Sequence, residues 1–302
     1  MPAWPPCTID IGGSQPATEP RFGESLISER QSRSGQREAS VDTSNPGTDV
    51  MIYEYPLNER MRTFLRLEFL FDNLRFGIEG DSTWHSRTAV DALLDITALL
   101  SRSDVRSELQ KELERILASL EKLQARPEVD ERRLEPVLAE CRDIARQLRE
   151  APTGIPSIVR SNEFLTAIEQ RAGVPGGTCA FDLPGYHLWL ESDVSQRRAL
   201  LEQWHGAFRL MDQGTALVIR LLRDSADPVH EVATGGSFQA TLDRATPYQM
   251  LRVRIPRSIH CYPEVSGSRH FCNIRFLQQP TQGERPNQMD DDVAFILERC
   301  VI

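Results

Sequence analysis

The sequence predicts an α+β fold, in which a mainly helical N-terminal domain with a long antiparallel helical hairpin precedes an antiparallel β-sheet domain. Apolar residues recur at spacings of three and four through most of residues 58–226, which is the period of an amphipathic helix. After residue 227 the period falls towards two, and Gly, Pro, Asn and Asp separate short apolar runs, as in a sheet. The 302 residues, of which 40% are hydrophobic and 26% charged, suffice for about two domains with a buried core.

The first 50 residues differ in composition from the rest of the chain. They contain 6 Pro, 5 Gly and 7 Ser without apolar periodicity, so we predict that residues 1–50 form a disordered extension. Dense apolar sequence begins abruptly at Met51, and an alternative is that translation starts at Met51 and the extension is a mis-assigned reading frame. The predicted domains are residues 51–228 (helical) and 229–302 (β-rich), and an alternative division adds residues 52–55 and 178–190 to the second.

Residues typical of helix ends, such as capping residues and prolines, indicate where the helices begin and end. Asn58 is a typical helix N-cap, and the helix behind it is apolar nearly all round, which indicates a central, buried helix. A long amphipathic helix begins at residue 105, after a cap at Ser103 or Asp104, and ends at Pro127. Other helices are expected at residues 86–100, 161–172 and 195–223. Between the last two, residues 173–190 are expected to form a turn, an extended piece and the approach to the next helix.

The long helix and a partner that opens at Asp130 form the predicted hairpin, because only a short connection separates them. Each arm has about 20 residues, or roughly 30 Å, with one apolar stripe and one charged face. Two interpretations of the apolar stripes stay open. Either they pack within the subunit, or part of the hairpin forms the seam of a homodimer.

The C-terminal region carries a local excess of arginine. Residues 250–276 contain five arginines and one acid, hence a charge of +4 in a chain whose net charge is −9. Arg252 and Arg254 lie two residues apart and therefore share one face of a strand. This face is either a solvated sheet surface or a docking surface for an acidic or carboxylate-bearing peptide. Strands are expected at residues 237–242, 249–255, 270–276 and 293–302.

Charge and motifs exclude several functions. The net charge of −9 disfavours binding to nucleic acid or to an anionic membrane surface. No stretch approaches the roughly 20 apolar residues needed to cross a bilayer. The sequence has no glycine loop that leads into Lys and Ser/Thr, and no Gly-x-Ser-x-Gly elbow. We therefore predict no nucleic-acid partner, no membrane insertion and no cofactor.

Cysteine and histidine occur in two suggestive places. Cys179 precedes His187 by eight residues; a packed thiol is the favoured interpretation, and a Cys179-dependent hydrolase is the alternative. A second group has zinc-ligand types, but its spacing is wrong and neighbours on a strand point to opposite faces. That group is His260, Cys261, His270 and Cys272. We predict no catalytic residue and no metal, and the six scattered cysteines without a secretory signal indicate a cytoplasmic protein.

Several blocks of the sequence, taken in order, resemble the cell division protein ZapD family, the Z-ring-associated proteins D. The two most specific blocks are residues 55–70, which look like the opening of the family sequence, and residues 174–184, which are followed by 187–190. The remaining blocks are residues 94–95, 105–113, 262–263, 266–267 and 274–276. The resemblance spans about residues 51–302.

This resemblance implies a non-enzymatic, cytoplasmic and homodimeric protein with a helical domain and a β-domain. Proteins of the family bind the C-terminal tail of the tubulin-like division GTPase FtsZ, and they cross-link or bundle its filaments at midcell. The function expected by resemblance is thus to promote assembly and stability of the Z-ring during septation. The alternative is a dimeric helical scaffold that binds another acidic-tailed division or cytoskeletal client.

The resemblance also implies a basic partner site near the junction of the two domains. Arg102, before the long helix, and Arg275 match two arginines of the family. A third should lie four residues before Arg275, where this chain has Phe271, and Arg269 and His270 stand beside that position. The predicted partner-binding residues are Arg102, Arg252, Arg254, Arg269, His270 and Arg275.

Overall fold

The computed structural model describes residues 50–102, 104–124, 131–151, 154, 156–268, 270–280 and 283–302. Residues 1–49 lie outside this part of the chain, as do the predicted hairpin ends at Pro127 and Asp130. The helices of the described chain are α1 (Glu59–Glu79), α2 (Thr83–Arg102), α3 (Val105–Gln124), α4 (Glu131–Glu150), α5 (Ser157–Arg160), α6 (Glu163–Ala172), α7 (Pro184–Leu190), α8 (Val194–Gly206) and α9 (Arg209–Asp224). The strands are β1 (Val50–Pro56), β2 (Pro228–Ala233), β3 (Ser237–Thr241), β4 (Met250–Pro256), β5 (Cys261–Gly267), β6 (Phe271–Gln278), β7 (Asn287–Gln288) and β8 (Val293–Cys300). This order confirms the predicted α+β class.

Helices α1 and α2 form a closely packed antiparallel pair. Asn58 caps α1 as predicted, and its Oδ1 accepts a hydrogen bond from a main-chain N–H at 2.8 Å. The two helices approach closely at Gly77, where a Cβ would lie 2.6 Å from the main-chain nitrogen of Ala89. Helix α1 contacts α2, α8, α9 and β1, as expected of a central helix, but it is not buried on all sides, because Phe69 and Phe76 are exposed.

Helices α3 and α4 form the predicted hairpin, with 20 residues in each arm. Asp104 caps α3, and Arg106 donates a hydrogen bond to the main-chain oxygen of Ala151, beyond the end of α4, at 2.6 Å. The inner sides of both arms belong to the helical core, whereas the outer sides carry ion pairs such as Arg142–Glu121 at 3.0 Å. Among the described residues of the hairpin no large apolar side chain is exposed. This favours packing within the subunit over a dimer seam.

The later helices differ from the sequence prediction in two places. Residues 195–223 form two helices, α8 and α9, with a break near Phe208. Residues 178–190 contain turns and then α7, and the expected extended piece is wrong. Pro184 occupies the first turn of α7, where its fixed φ favours a helix and its missing N–H is tolerated. Within residues 178–190, α7 packs against α6 in the helical region, and the segment adds no strand to the sheets.

The strands form two antiparallel sheets. Sheet A has the order β1-β4-β8-β2, and sheet B has the order β3-β6-β5 with β7 paired to β6. The four strands predicted in the C-terminal region correspond to β3, β4, β6 and β8, and residues 52–55 lie in β1, which pairs with β4. Sequence patterns missed β2 and β5 because each contains a proline, Pro228 and Pro263 respectively. Both are edge strands, where a missing N–H is tolerated.

Sheet A lies between the helices and sheet B. Apolar side chains fill the space between the sheets, among them Leu251, Val253, Ile255, Cys272, Ile274 and Phe276. On the opposite face of sheet A, Met250 and Cys300 belong to the helical core. Sheet B therefore has one face against sheet A, and its outer face carries the exposed side chains of Phe271 and Arg275.

Candidate partner-binding face

Arg275 lies in the middle of β6, on the outer face of sheet B. It is in register with Ser237 of β3 and with Glu264 of β5. Its Nη2 lies 2.6 Å from Oε2 of Glu264, and both side chains are 53% exposed. A pair this exposed stabilises the fold by at most about 1 kcal/mol. A carboxylate of a ligand can therefore replace Glu264 at little cost.

A shallow groove lies beside Arg275, between β3 and β6. Gln239 and Thr241 line it from β3, and Phe271 and Asn273 line it from β6. Phe271 is 54% exposed, and Oδ1 of Asn273 is shielded from solvent without a hydrogen-bond donor among the described residues. This oxygen is closed off from solvent and is not open to a ligand in this conformation, whereas the polar side chains of Gln239 and Thr241 in the same groove are exposed. The face thus combines an apolar contact, hydrogen-bonding side chains and a cation.

His270 lies at the edge of this face, immediately before β6. Its side chain is exposed, and its main-chain oxygen accepts a hydrogen bond from the N–H of Leu242 at 2.9 Å. That bond holds the β5–β6 turn against the end of β3. Its neighbour Arg269 lies outside the described residues.

Arg252 and Arg254 share one face of β4, as predicted, but this face of sheet A is turned towards the helices. Nε of Arg252 lies 3.0 Å from Oε1 of Glu54, and its Nη1 lies 2.5 Å from Oε2 of Glu298. Nη1 of Arg254 lies 3.0 Å from Oε1 of the same Glu298, which is almost fully buried. Both arginines therefore form ion pairs with carboxylates of their own chain.

A third arginine extends this arrangement to the helices. Arg223 of α9 binds Glu54 of β1 and Glu68 of α1, each with N–O distances of 2.7 Å. Burial raises the pKa of Glu54, but the hydrogen bonds and charges of Arg223 and Arg252 outweigh burial and lower its pKa below 4.5. We call these six residues the junction network. They are Glu54, Glu68, Arg223, Arg252, Arg254 and Glu298.

The junction network explains the local charge excess that the sequence displays. Within residues 250–276 the arginines outnumber the acids, but the fold brings Glu54 and Glu298 to Arg252 and Arg254 from distant segments. The two arginines lie on the far side of both sheets from Arg275. As partner contacts they stay an untested prediction, and their observed contacts join the sheet to the helices.

Arg102 is the last residue of α2, and its side chain lies outside the described part of the structure. Its part in binding stays a prediction, like that of Arg269. Of the residues considered at the partner site, the structure brings together Phe271 and Arg275 on one face, with His270 at its edge.

Comparison with known proteins identifies the family. The sequence profile of ZapD, described as a cell division protein, matches residues 65–275. The chain belongs to the ZapD family of cell division proteins. The cell division protein ZapD of Methylococcus capsulatus is 44% identical over 252 residues, which cover 83% of this chain and 98% of that protein. Those of Cupriavidus necator and Chromobacterium violaceum are each 37% identical and cover 83% of this chain and 99% of their own length.

Membership of the ZapD family confirms the resemblance seen in the sequence blocks and indicates a role in cell division. The family match ends at Arg275, so it includes the β3–β6 groove and most of the junction network. In the described part of this ZapD-family chain, no helix has both the length and the apolarity that crossing a membrane requires.

Four of the five cysteine thiols in the described part of this ZapD-family protein are buried. Burial raises the pKa of Cys141 to about 11 and that of Cys300 to about 12, which keeps both protonated at neutral pH. Cys179 is half-buried and its Sγ lies 3.5 Å from a carboxylate oxygen of Asp182. No hydrogen bond joins Cys179 to His187 among the described residues, and these contain no cluster of three or more His, Cys, Asp or Glu suited to a metal.

Sequence reasoning missed Gln239, Thr241 and Asn273 as members of the outer face. The available signal was the alternation of polar and apolar residues in β3 and β6, which places every second side chain on the solvent side. These residues are neutral, so an argument from charge could not select them. The register of β3 with β6 brings Gln239 opposite Asn273 and Thr241 opposite Phe271.

Proposed function

We propose that this ZapD-family protein binds the C-terminal tail of the tubulin-like GTPase FtsZ on the outer face of sheet B. The observation that carries the proposal is the exposed guanidinium of Arg275, whose single ion pair among the described residues is the weak one with Glu264, beside a groove with the exposed side chain of Phe271. Family membership supports it, because the chain is related to cell division proteins over most of its length.

The chemistry of the face suits an extended peptide that carries acidic and apolar side chains. Arg275 has a planar fork of donors that can bind a carboxylate through two parallel hydrogen bonds. Phe271 offers apolar area about four residues away along the strand, and the exposed side chains of Gln239 and Thr241 on β3 can hydrogen-bond to the peptide. Charge then orients the peptide and speeds its association, while the groove holds its apolar residues.

Bundling requires two such faces in one particle. A pair of subunits presents two faces, and a filament presents many tails, so weak single contacts become strong through effective concentration. In this proposal the protein is cytoplasmic, is recruited to midcell and promotes Z-ring assembly during septation by cross-linking filaments. No covalent bond is made or broken, so no enzymatic activity is needed.

The substitution Arg275→Glu tests the proposal. Loss of a charge-assisted hydrogen bond, worth about 1.5–3 kcal/mol, weakens binding of an FtsZ tail peptide about 10- to 100-fold and abolishes filament bundling. Fluorescence anisotropy measures the peptide affinity, and cosedimentation with FtsZ filaments measures the bundling. Binding should also weaken as salt rises, because exposed charges are screened.

Arg220→Glu is the matched control. Arg220 of α9 is likewise 53% exposed and forms one ion pair with the described residues, with Glu140 at 2.6 Å, but it lies on the helical region. It should retain wild-type affinity and bundling. Equal effects of the two substitutions, or unchanged cosedimentation of Arg275→Glu, would refute the assignment of the outer face.

A further inference from the structure

The strands of sheet B in the described structure carry only two charged side chains, one of each sign. These are Glu264 of β5 and Arg275 of β6, and the other residues of β3, β5, β6 and β7 are neutral. Nη2 of Arg275 lies 2.6 Å from Oε2 of Glu264, and each forms its single ion pair among the described residues with the other. The outer face therefore neutralises its own cation as long as this pair stays closed.

The pair holds the guanidinium on the side of β6 that is remote from the groove. Glu264 lies on β5, in register with Arg275. The groove lies on the other side of β6, towards β3, where Gln239 and Phe271 belong to its lining. A carboxylate of a peptide in the groove therefore approaches Arg275 from the β3 side, whereas Glu264 draws the guanidinium to the β5 side.

The nitrogen that Glu264 occupies is also the one that a second carboxylate needs. A guanidinium binds a carboxylate through two parallel hydrogen bonds along its Nε–Nη2 edge or along its Nη1–Nη2 edge, and both edges include Nη2. Since Nη2 of Arg275 donates to Glu264, a ligand carboxylate has to displace Glu264 or lie beside it as a like charge. Both possibilities weaken binding of the ligand.

We infer that Glu264 is an internal competitor for the acidic side chain of the ligand and that it limits the affinity of the outer face. The inference rests on the proposed function, because it assigns a role at the same site. A ligand that brings a carboxylate has to open the Glu264–Arg275 pair, whereas a neutral peptide can occupy the groove and leave the pair closed. Glu264 thus keeps a single tail contact weak, and strong binding needs many tails at once, as a filament provides.

The substitution Glu264→Gln tests the inference, because it removes the charge and keeps the size of the side chain. An exposed pair favours its closed state about 1.4- to 5-fold, and a site that is open for only part of the time loses affinity in proportion. The substitution should therefore raise the affinity for an FtsZ tail peptide about two- to sixfold. It should not change the affinity for the same peptide with its acidic residues replaced by amides, because that peptide does not use Arg275. Fluorescence anisotropy measures both affinities.

Glu140→Gln is the matched control for the change in net charge. Glu140 is 44% exposed and pairs with an exposed arginine, Arg220, at 2.6 Å, but it lies on the helical region. This variant should bind both peptides with wild-type affinity. A gain for the acidic peptide equal to that of Glu264→Gln would overturn the inference, because it would show an effect of net charge alone.

Direct repulsion of the peptide by Glu264 is separated from competition by repeating Glu264→Gln in an Arg275→Gln background. Competition acts through the arginine, so in this background the substitution should leave the peptide affinity unchanged. A gain of the same size in both backgrounds would overturn the inference, since it would show that Glu264 only repels the ligand. Circular dichroism melts of all variants confirm that the compared proteins are folded.

The outcomes separate this inference from the proposed function. If Arg275→Glu retains the wild-type affinity for the peptide, the outer face is not the binding site, and the proposed function and the inference fail together. If Arg275→Glu loses binding but Glu264→Gln binds the acidic peptide no better than wild type, the proposed function stands and the inference alone is overturned.

Discussion

Replacing Glu298 by alanine removes the carboxylate that holds two arginines of sheet A. Its side chain is 6% exposed and accepts from Arg252 at 2.5 Å and from Arg254 at 3.0 Å. After the substitution Arg252 keeps Glu54, but Arg254 loses its only ion pair among the described residues. The change therefore leaves a largely buried guanidinium without a counter-charge between the sheet and the helices.

The size of the effect follows from this burial. Removing one partner of a buried ion pair costs about 3–5 kcal/mol, because the other charge stays desolvated and unpaired. Arg252 and Arg254 keep some contact with solvent, so we expect the lower end, about 3 kcal/mol. For a chain of this size that corresponds to a melting temperature lower by about 6–12 °C. Circular dichroism during a thermal melt at pH 7 measures it.

Glu264→Ala is the matched control, since Glu264 also pairs with a strand arginine but is 53% exposed. Its removal should lower the melting temperature by no more than about 4 °C, because an exposed pair contributes only about 0–1 kcal/mol. A melting temperature of Glu298→Ala within the range of the control would refute the view that the junction network stabilises the fold.

Two further predictions concern stability. Arg223 and Arg252 hold the pKa of Glu54 below its ordinary 4.5, so the contribution of Glu54 to stability is complete above pH 4.5 and is lost as the pH falls through its folded-state pKa. Asp212 behaves in the same way, because His205 and Arg75 outweigh the effect of burial and hold its pKa below the ordinary 3.8. Urea midpoints should therefore fall steeply between pH 5 and pH 3, and a flat profile would contradict the carboxylate pairing. Gly77→Ala should destabilise by about 3 kcal/mol, since its Cβ would meet main-chain atoms of α2, whereas Gly206→Ala, with open space around it, should be neutral in the same urea titration. Equal midpoints for the two glycine variants would show that α1 and α2 can separate freely.

Features set by neighbouring residues were predictable from the sequence. Asn58 and Asp104 cap helices through contacts three residues away, and the hairpin arms follow from a simple repeat of apolar positions. The sequence blocks that resemble the ZapD family are equally local, and the comparisons confirmed the family. Such features need no knowledge of what packs against them.

Features set by distant segments were not predictable. The partners of Arg252 and Arg254 come from Glu54, nearly 200 residues earlier, and from Glu298, so a charge count over one segment could not reveal that they are paired. The exposed side of α1 was missed for a similar reason, since only the placement of α2 shows that Phe69 is left uncovered. The polar groove residues of sheet B depend on the register of two strands.

The pairing of β1 with β4 has a consequence for how the chain is made. Glu54 and Arg252 are neighbours in sheet A although they are 198 positions apart in the sequence, so β1 emerges from the ribosome long before its partner β4 exists. During that interval its edge is unpaired and open to association with other nascent chains. A fragment that stops after α9 would contain β1 without its partner β4, whereas a fragment that begins at β2 would contain β4 without β1 and expose the edge of β4. Fragments for biochemical work should therefore include residues 50–56 together with the C-terminal strands.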